Sequence, residues 1–275
     1  MTEKNLCSTF MAIINKLLNS PHQRYESKHR EIFEEKVRHH ADAKSRFTKI
    51  YQINMWGAED GITETVSGPG STLAHTESIR ETLPRIFEKF KINSVIDAGC
   101  GDFNWMQQVV RDAKIHYTGA DIVDELIERN NDLYAADNIQ FVVLDITCDP
   151  IPKADLLICR ECLFHLSNKS IFEFFHNFAQ SEIQYLLTTT YDDDAETFEN
   201  EDVITGFFRE IDLFSPPFNL PGNTLGCYRD TSAGKPKRKL CLWRREQIAE
   251  TLETIDASSG DVDEGPRDQL EPSAQ

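Results

Sequence analysis

The stretch Val95-Ile-Asp-Ala-Gly-Cys-Gly-Asp-Phe-Asn-Trp105 decides the fold. Its apolar start predicts a buried strand that ends at Asp97. Gly99 and Gly101 predict a tight turn, because glycine adopts backbone angles closed to other residues and lets a ligand approach closely. We expect a helix to begin near Asp102, where free backbone amides suit an anionic part of a ligand. The order of strand, glycine turn and helix predicts a ligand-binding edge in an α/β fold.

Further apolar runs, separated by helical patterns, follow this stretch. They are Tyr117–Asp121, Ile139–Leu144, Asp155–Cys159 and Tyr185–Thr189. Nearly continuous apolar strands between helices indicate a parallel sheet that is covered on both faces. We therefore predict a doubly wound, Rossmann-like α/β domain, with a terminal hairpin formed by residues 224–229 and 238–243.

Three kinds of glycine-rich loop compete for the turn after Asp97. A dinucleotide fingerprint needs a third glycine at position 104, where Asn104 stands, and a phosphate-binding P-loop needs a Gly-Lys-Ser/Thr sequence that is absent here. The third is the loop of enzymes that bind S-adenosylmethionine (SAM), in which an acidic residue precedes Gly-x-Gly. Asp97-Ala-Gly-Cys-Gly fits this form, although an ordinary strand–helix turn would also explain the two glycines.

Two more carboxylates end the next two predicted strands. Asp121 follows Gly101 by 20 residues, where a carboxylate can accept hydrogen bonds from both hydroxyls of a ribose. Asp145 can accept from an adenine amino group, while Ile146 can lie against the ring. Each aspartate alone would also fit a helix cap or a turn. The series Asp97, Asp121 and Asp145 favours one cofactor with an adenosine part.

Residues from about 51 to 245 resemble a class I SAM-dependent methyltransferase. Within that class the chain is similar to a poorly characterised microbial group in its motifs Trp56, Ser67–Ser71, Asp97–Met106, Arg160–Ser167, Leu186–Thr190, Pro217–Pro221 and Leu240–Trp243. The resemblance implies a seven-stranded sheet whose last strand is antiparallel. It also implies that SAM binds at the carboxyl ends of the first three strands.

The predicted SAM site combines the acidic strand ends with the motifs of this group. Its cofactor-binding residues are Trp56, Ser71, Asp97, Gly99, Gly101, Asp102, Trp105, Asp121, Ile122, Asp145, Ile146 and Arg160. Trp56 and the Ser67–Ser71 turn are expected to fold over SAM as a lid. The alternative is a loop that packs on the sheet.

The chemistry is expected just after the fourth strand. Methyl transfer is an in-line displacement that needs the donor and acceptor atoms about 3–3.5 Å apart. A hydroxyl acceptor also needs a base. His165 is the first candidate, because its ordinary pKa lies near neutrality, and Glu161 is the second. His165 could instead pack or cap a helix, and Arg160 could bind an acidic acceptor or pair with Glu161 or Asp102.

The spacing Cys159-x-x-Cys162-x-x-His165 offers a rival interpretation as a zinc or redox site. Cys159 completes an apolar strand and no fourth ligand stands nearby, since Cys227 and Cys241 lie far along the chain. We therefore predict no metal. The seven cysteines are odd in number and lie mostly in apolar runs, which favours reduced thiols in a cytoplasmic protein.

Length and charge limit the domains and the partners. The chain has 275 residues and a formal charge of −17. We divide it into a helical N-terminal extension (1–50), a methyltransferase domain (51–252) and an acidic tail (253–275) that is expected to be disordered. The acidity argues against nucleic acid as a partner. No run of about 18–20 apolar residues suits a membrane span.

The sequence therefore predicts a SAM-dependent methyltransferase that acts on a hydroxyl of a small molecule or a glycan. Two alternatives remain at this point. One is a catalytically silent module that binds SAM or a nucleotide and works through protein contacts, and the other is an NAD-dependent enzyme. The sequence does not define the oligomeric state.

Overall fold

The structure is a computed structural model that describes residues 21–57, 63–111, 113–191, 198–230 and 238–260. The helices of these ranges are α1 (Pro21–Lys36), α2 (Ala43–Gln52), α3 (Glu77–Phe90), α4 (Gln107–Val110), α5 (Asp124–Tyr134), α6 (Asn168–Gln180) and α7 (Arg245–Gly260). The strands are β1 (Ser94–Ala98), β2 (His116–Asp121), β3 (Ile139–Val143), β4 (Leu156–Cys159), β5 (Tyr185–Tyr191), β6 (Gly226–Arg229) and β7 (Arg238–Arg244).

The strands of these ranges form a seven-stranded sheet in the order β3-β2-β1-β4-β5-β7-β6. Strands β1 to β5 pair in parallel, and β7 runs antiparallel to both β5 and β6. This confirms the doubly wound sheet and its antiparallel strand. The strand order reverses between β1 and β4, and the crevice at such a reversal is where open α/β sheets bind ligands.

Both faces of the sheet are covered. Adjacent residues of β1 point to opposite sides, so Val95 joins the core that includes Leu83 of α3, whereas Ile96 joins the core that includes Phe174 of α6. Strand β5 is buried at every position. This explains why the strands read as apolar runs rather than as alternating patterns.

The N-terminal helices pack on a loop from the other end of the domain. Phe33 of α1, together with Ile50 of α2, forms a small core that includes Ile204 and Phe207. The capping box of Asp42 with Ser45 begins α2. The described part of the predicted extension is thus helical, and α2 continues through the predicted boundary at residue 50. Residues 1–20 lie outside the described ranges.

The helix that was predicted to begin near Asp102 does not begin there. Asp102 and residues 104–106 form turns, and among the described residues between the glycine turn and β2 the helix is the short α4. Gly99, Gly101 and Phe103 have φ values of 78°, 57° and 60°. Three left-handed positions in five residues are incompatible with an α-helix.

The predicted tail is shorter than expected. Helix α7 ends at Gly260, so residues 253–260 are helical rather than disordered. Ile248 and Leu252 are buried in the core that contains α6, which holds the helix on the domain. Residues 261–275 lie outside the described ranges.

The cysteines also differ from the prediction. Cys227 and Cys241 stand opposite each other on β6 and β7 and form a disulfide. The thiols of Cys100, Cys148, Cys159 and Cys162 are free. The disulfide could not be predicted from the spacing of the cysteines, because its two cysteines meet only when β6 pairs with β7.

Among the described helices, none combines the length and the apolar composition needed to cross a bilayer.

Candidate active site

A cavity of about 1180 Å³ opens at the carboxyl ends of β1, β2 and β4. It is lined by every predicted site residue except Asp102: Trp56, Ser71, Asp97, Gly99, Gly101, Trp105, Asp121, Ile122, Asp145, Ile146, Arg160, Glu161 and His165. We use two names for its parts. The cofactor edge comprises residues 97–101, 121–122 and 145–147. The acceptor chamber is lined by α1, α2, Trp56 and residues 164–165 and 201–210.

Gly101 has no space for a side chain. A Cβ there would collide with the Ser67 hydroxyl, and its left-handed φ of 57° is unfavourable for other residues. Gly70 is similarly constrained, since a Cβ would collide with the Glu161 carboxylate. The Ser67–Ser71 segment therefore lies directly on the glycine turn and on the residues that follow β4.

Asp102 lies outside the cavity lining and holds this segment in place. Its carboxylate accepts from the Thr65 hydroxyl at 3.0 Å, the Val66 amide at 2.8 Å and the Ser67 hydroxyl at 3.2 Å. Its own amide donates to the Ser67 oxygen at 3.0 Å. Asp102 thus connects the loop to the glycine turn. The sequence had instead predicted that Asp102 contacts the cofactor.

The carboxylates of Asp97 and Asp121 are both buried at the cavity. The Tyr117 hydroxyl donates to Asp97 at 2.8 Å, and the backbone amides of Gly101 and Val123 each donate to Asp121 at 3.2 Å. Burial raises the pKa of Asp97 to about 6, against the hydrogen bond from Tyr117. Burial also raises the pKa of Asp121 to about 6, against its hydrogen bonds from backbone amides. A cationic ligand would favour the ionised forms of both.

Asp145 has one oxygen engaged locally. Its Oδ1 accepts from the amide of Thr147 at 2.9 Å and from the hydroxyl of Thr147 at 2.6 Å. Ile146 is buried beside it. The turn thus fixes the carboxylate at the cavity and presents an apolar side chain next to an acceptor, which suits an adenine ring.

The two residues that follow β4, Arg160 and Glu161, belong to a buried ion network. Arg160 donates two hydrogen bonds to Asp230, at 2.9 and 3.0 Å, and stands 2.9 Å from Glu161. Arg238 stands 2.6 Å from Glu161 and 3.2 Å from Asp230. Arg160 therefore pairs with Glu161, one of the predicted partners, and with Asp230, but not with Asp102.

This network determines the charge of Glu161. Burial raises the pKa of Glu161, but the guanidinium groups of Arg160 and Arg238 outweigh it and leave the pKa below its usual value. The carboxylate is therefore ionised and engaged by two cations, which makes it a weak proton acceptor. The geometry favours an anchoring role for Glu161 over the predicted role as a base.

His165 is held by its surroundings in one orientation. Its Nδ1 lies 3.1 Å from the Phe207 carbonyl oxygen, which can only accept, so Nδ1 carries the proton. The Trp56 ring stacks on the imidazole, with ring centroids 4.8 Å apart and 25° between the planes. Burial lowers the pKa of His165 to about 4, so the ring is neutral near pH 7. Its Nε2 therefore keeps a lone pair, and the residue lines the cavity.

The acceptor chamber and half of the ion network have no counterpart among the features predicted from the sequence. Helices α1 and α2 and residues 201–210 contain no local motif, and they meet only in the folded chain. Asp230 is 70 residues from its partner Arg160. The acidic residue at the end of the predicted hairpin was the one available signal for the network.

No metal site stands beside these residues. In the ranges that the structure describes, no three His, Cys, Asp or Glu side chains are grouped so that they could hold a metal ion. Cys159 and Cys162 interact with each other, and burial raises the pKa of the Cys159 thiol. A buried thiol with a raised pKa is a poor source of thiolate near neutral pH, so the arrangement does not favour thiolate chemistry.

A family model and several solved structures are similar to this chain. Residues 95–181 match the family model described as a methyltransferase domain. The chain is similar to the methyltransferase domain of bacterial CtHen1, with 14% identity, a TM-score of 0.47 and coverage of 63% of this chain and 100% of that chain. It is similar to magnesium protoporphyrin IX methyltransferase from Synechocystis PCC 6803 with bound SAM, with 14% identity, a TM-score of 0.48 and coverage of 74% and 98%.

A third similar structure is human N-acetylserotonin methyltransferase in complex with SAM, with 15% identity and a TM-score of 0.48. The alignment covers 74% of this chain and 60% of that chain. A search of curated protein sequences finds no match.

Residues 95–181 thus match a methyltransferase domain, and the sheet order and the glycine turn after β1 agree with that match. The match supports a SAM-dependent methyltransferase enzyme, with SAM as the methyl donor.

Proposed function

We propose that this methyltransferase transfers the methyl group of SAM to a hydroxyl group of a small molecule or a glycan. The observation that carries the proposal is the orientation of His165. With Nδ1 committed to the Phe207 carbonyl, Nε2 keeps a free lone pair, and His165 lines the cavity. A hydroxyl must lose its proton during methylation, whereas a neutral amine presents a lone pair without help. A positioned acceptor for a proton therefore favours a hydroxyl.

The cofactor edge would hold SAM through complementary charge and hydrogen bonds. SAM supplies an activated methyl group on a positively charged sulfur. Asp121 suits the ribose hydroxyls, Asp145 the adenine amino group, and Ile122 and Ile146 the faces of the ring. Each carboxylate oxygen of Asp121 has a lone pair beyond the one used by a backbone amide. Asp97 suits the cationic amino group of the methionine part.

The cysteines of the described residues bear on the cellular location of the enzyme. The free thiols of Cys100, Cys159 and Cys162 around the cavity favour the reducing cytoplasm, while the Cys227–Cys241 disulfide favours an oxidising compartment. We propose the cytoplasm, because the three thiols line or adjoin the site, whereas the disulfide lies in the edge hairpin. Fractionation of cells with detection of the protein in each fraction tests this. Recovery of the protein only outside the cytoplasmic fraction would contradict it.

Calorimetric titration tests the cofactor assignment. SAM should bind to the natural protein, and Asp121→Ala should weaken binding by about 10–100-fold, because the ribose loses a charged acceptor. Asp124→Ala is the matched control, since Asp124 is exposed and pairs with Lys44. Tight binding of NAD without binding of SAM would contradict the assignment.

Transfer of a labelled methyl group tests the reaction. The protein is incubated with methyl-labelled SAM and a metabolite extract, and the labelled products are separated and identified. We expect an alkali-stable methyl ether. A methyl ester or a methylated amine would contradict the hydroxyl assignment. Tight SAM binding with no labelled product in any fraction would instead indicate a silent SAM-binding module.

A further inference from the structure

We propose that the hydroxyl group methylated by this enzyme lies on an aromatic ring, so that the acceptor is a phenolic small molecule rather than a glycan. This inference rests on the proposed hydroxyl methyl transfer and makes its substrate class specific. It follows from three properties of the acceptor chamber: its ring-lined walls, its internally satisfied polar groups and the kind of proton acceptor that it offers.

The walls of the chamber consist largely of rings. They are contributed by Phe33, Phe47, Trp56, Phe164, Phe207 and Phe208. Around His165, the Phe164 ring lies edge-on at 4.6 Å and the Phe208 ring lies tilted at 6.1 Å, in addition to the stacked Trp56. Offset and edge-to-face contacts of this kind stabilise a further ring placed among them. A flat acceptor would therefore complete an existing aromatic cluster beside the candidate base.

The polar side chains of the chamber are largely committed to the protein itself. Arg209 donates to the carbonyl oxygens of Glu201 and Leu163 and to the Asn168 side chain. Asp202 accepts from the backbone amides of Asn168 and Val203. A sugar has several hydroxyl groups, and each one that is buried without a partner costs about 1–3 kcal/mol. A chamber with so few available partners favours an acceptor with few hydroxyl groups.

The proton acceptor of the chamber suits an acidic hydroxyl. Burial makes the imidazole of His165 a weak base, with a pKa of about 4. A phenol has a pKa of roughly 10, whereas an unactivated alcohol lies closer to water, at roughly 16. The proton transfer to Nε2 is therefore less unfavourable by about six pKa units for the phenol.

The positive charge of Arg209 also favours an acceptor whose hydroxyl oxygen becomes negatively charged. It is buried, and within the described part of the chain it forms no ion pair, so Asp202 acts on it only at longer range. Its backbone amide donates to the carbonyl oxygen of Phe164, the neighbour of His165, and its charge contributes to lowering the pKa of His165. A fixed cation there would stabilise the negative charge that develops on the acceptor oxygen.

Binding of two ligands with the same carbon skeleton tests the inference without relying on turnover. Protein saturated with S-adenosylhomocysteine is titrated with 2-naphthol and with decahydro-2-naphthol. We expect 2-naphthol to bind at least about tenfold more tightly, because only it offers a flat ring to the aromatic walls. Phe208→Ala should remove most of this preference, while Phe90→Leu, which changes a ring outside the cavity, should preserve it. Equal binding of the two ligands, no binding of 2-naphthol, or tighter binding of methyl glucoside would overturn the inference.

The labelled product from the metabolite extract separates this inference from the proposed function. An aromatic methyl ether supports both. A methyl ether on a carbohydrate overturns the phenolic acceptor and leaves hydroxyl methylation intact. A methylated amine or a methyl ester overturns the proposed function itself.

Discussion

The cofactor edge and the acceptor chamber share one cavity but are built by different means. The edge consists of strand ends and a glycine turn, and its buried carboxylates of Asp97 and Asp121 have raised pKa values of about 6. The chamber consists of rings from distant segments, and its polar groups are mostly paired within the protein. The edge presents buried carboxylates on a sterically constrained backbone, whereas the chamber presents aromatic surface. We therefore expect substitutions at the edge to affect cofactor affinity, and substitutions in the chamber to affect turnover and acceptor choice.

Gly101→Val should give the largest effect of these substitutions. The effect should be confined to cofactor binding. The new side chain would collide with the Ser67 hydroxyl in a left-handed backbone conformation. We expect SAM affinity to fall more than about 100-fold in calorimetry, since the turn must move. Gly222→Ala is the control, because no atom lies within 4 Å of its Cβ position. Retained affinity in Gly101→Val would show that the edge is not rigid.

His165→Ala should separate turnover from cofactor binding. We expect kcat to fall about 100–1000-fold with SAM affinity changed less than about twofold, because His165 belongs to the chamber. His176→Ala, at an exposed histidine, should leave both unchanged. Since burial lowers the pKa of His165 to about 4, its neutral form should support a flat kcat from about pH 5 to 8. An unchanged kcat in His165→Ala would remove it as the proton acceptor.

Asp230→Asn tests the ion network that lies behind both parts. Asp230 is fully buried and holds Arg160 and Arg238, so its loss leaves one buried and one partly buried cation with only Glu161. We expect the free energy of unfolding in urea to fall by about 3 kcal/mol. Asp256→Asn, on the exposed face of α7, is the control and should change it by less than about 0.5 kcal/mol. An equally small change for Asp230→Asn would mean that the network adds nothing to stability.

Tyr117→Phe should give the smallest effect, visible mainly as a shift in pH dependence. Asp97 must be ionised to attract a cation, so SAM affinity should fall as the pH drops through about 6. The Tyr117 hydroxyl, like the nearby Arg160, favours the ionised form, whereas burial and Asp121 oppose it. Removing the hydroxyl raises the pKa of Asp97, so the affinity should begin to fall at a higher pH.

The measurement for Tyr117→Phe is calorimetry with SAM between pH 5.5 and 8.5. We expect affinity about three- to tenfold below the natural protein near pH 6.5, with most of the difference removed at pH 8.5. Tyr185→Phe, at another buried tyrosine of the sheet, should leave the profile unchanged. A uniform loss at every pH would indicate a structural role for the hydroxyl instead.

The same contrast explains what the sequence could predict. The cofactor edge was predictable because each acidic residue follows its own apolar strand, and parallel strands bring such ends together. The absence of a helix directly after Gly101 was not predictable, because phenylalanine does not normally adopt the left-handed conformation that Phe103 has here. The chamber and Asp230 depend on contacts between segments far apart in the chain, for which a single sequence holds no local pattern.

The connection made by Asp102 has a consequence for motion. Its carboxylate and amide hold Thr65, Val66 and Ser67 on the glycine turn through several hydrogen bonds at once. The loop cannot leave the turn by small steps, since displacing it breaks these bonds together and exposes a buried charge. We expect it to behave as a latch with two positions, closed or released, rather than as a flap that opens by degrees.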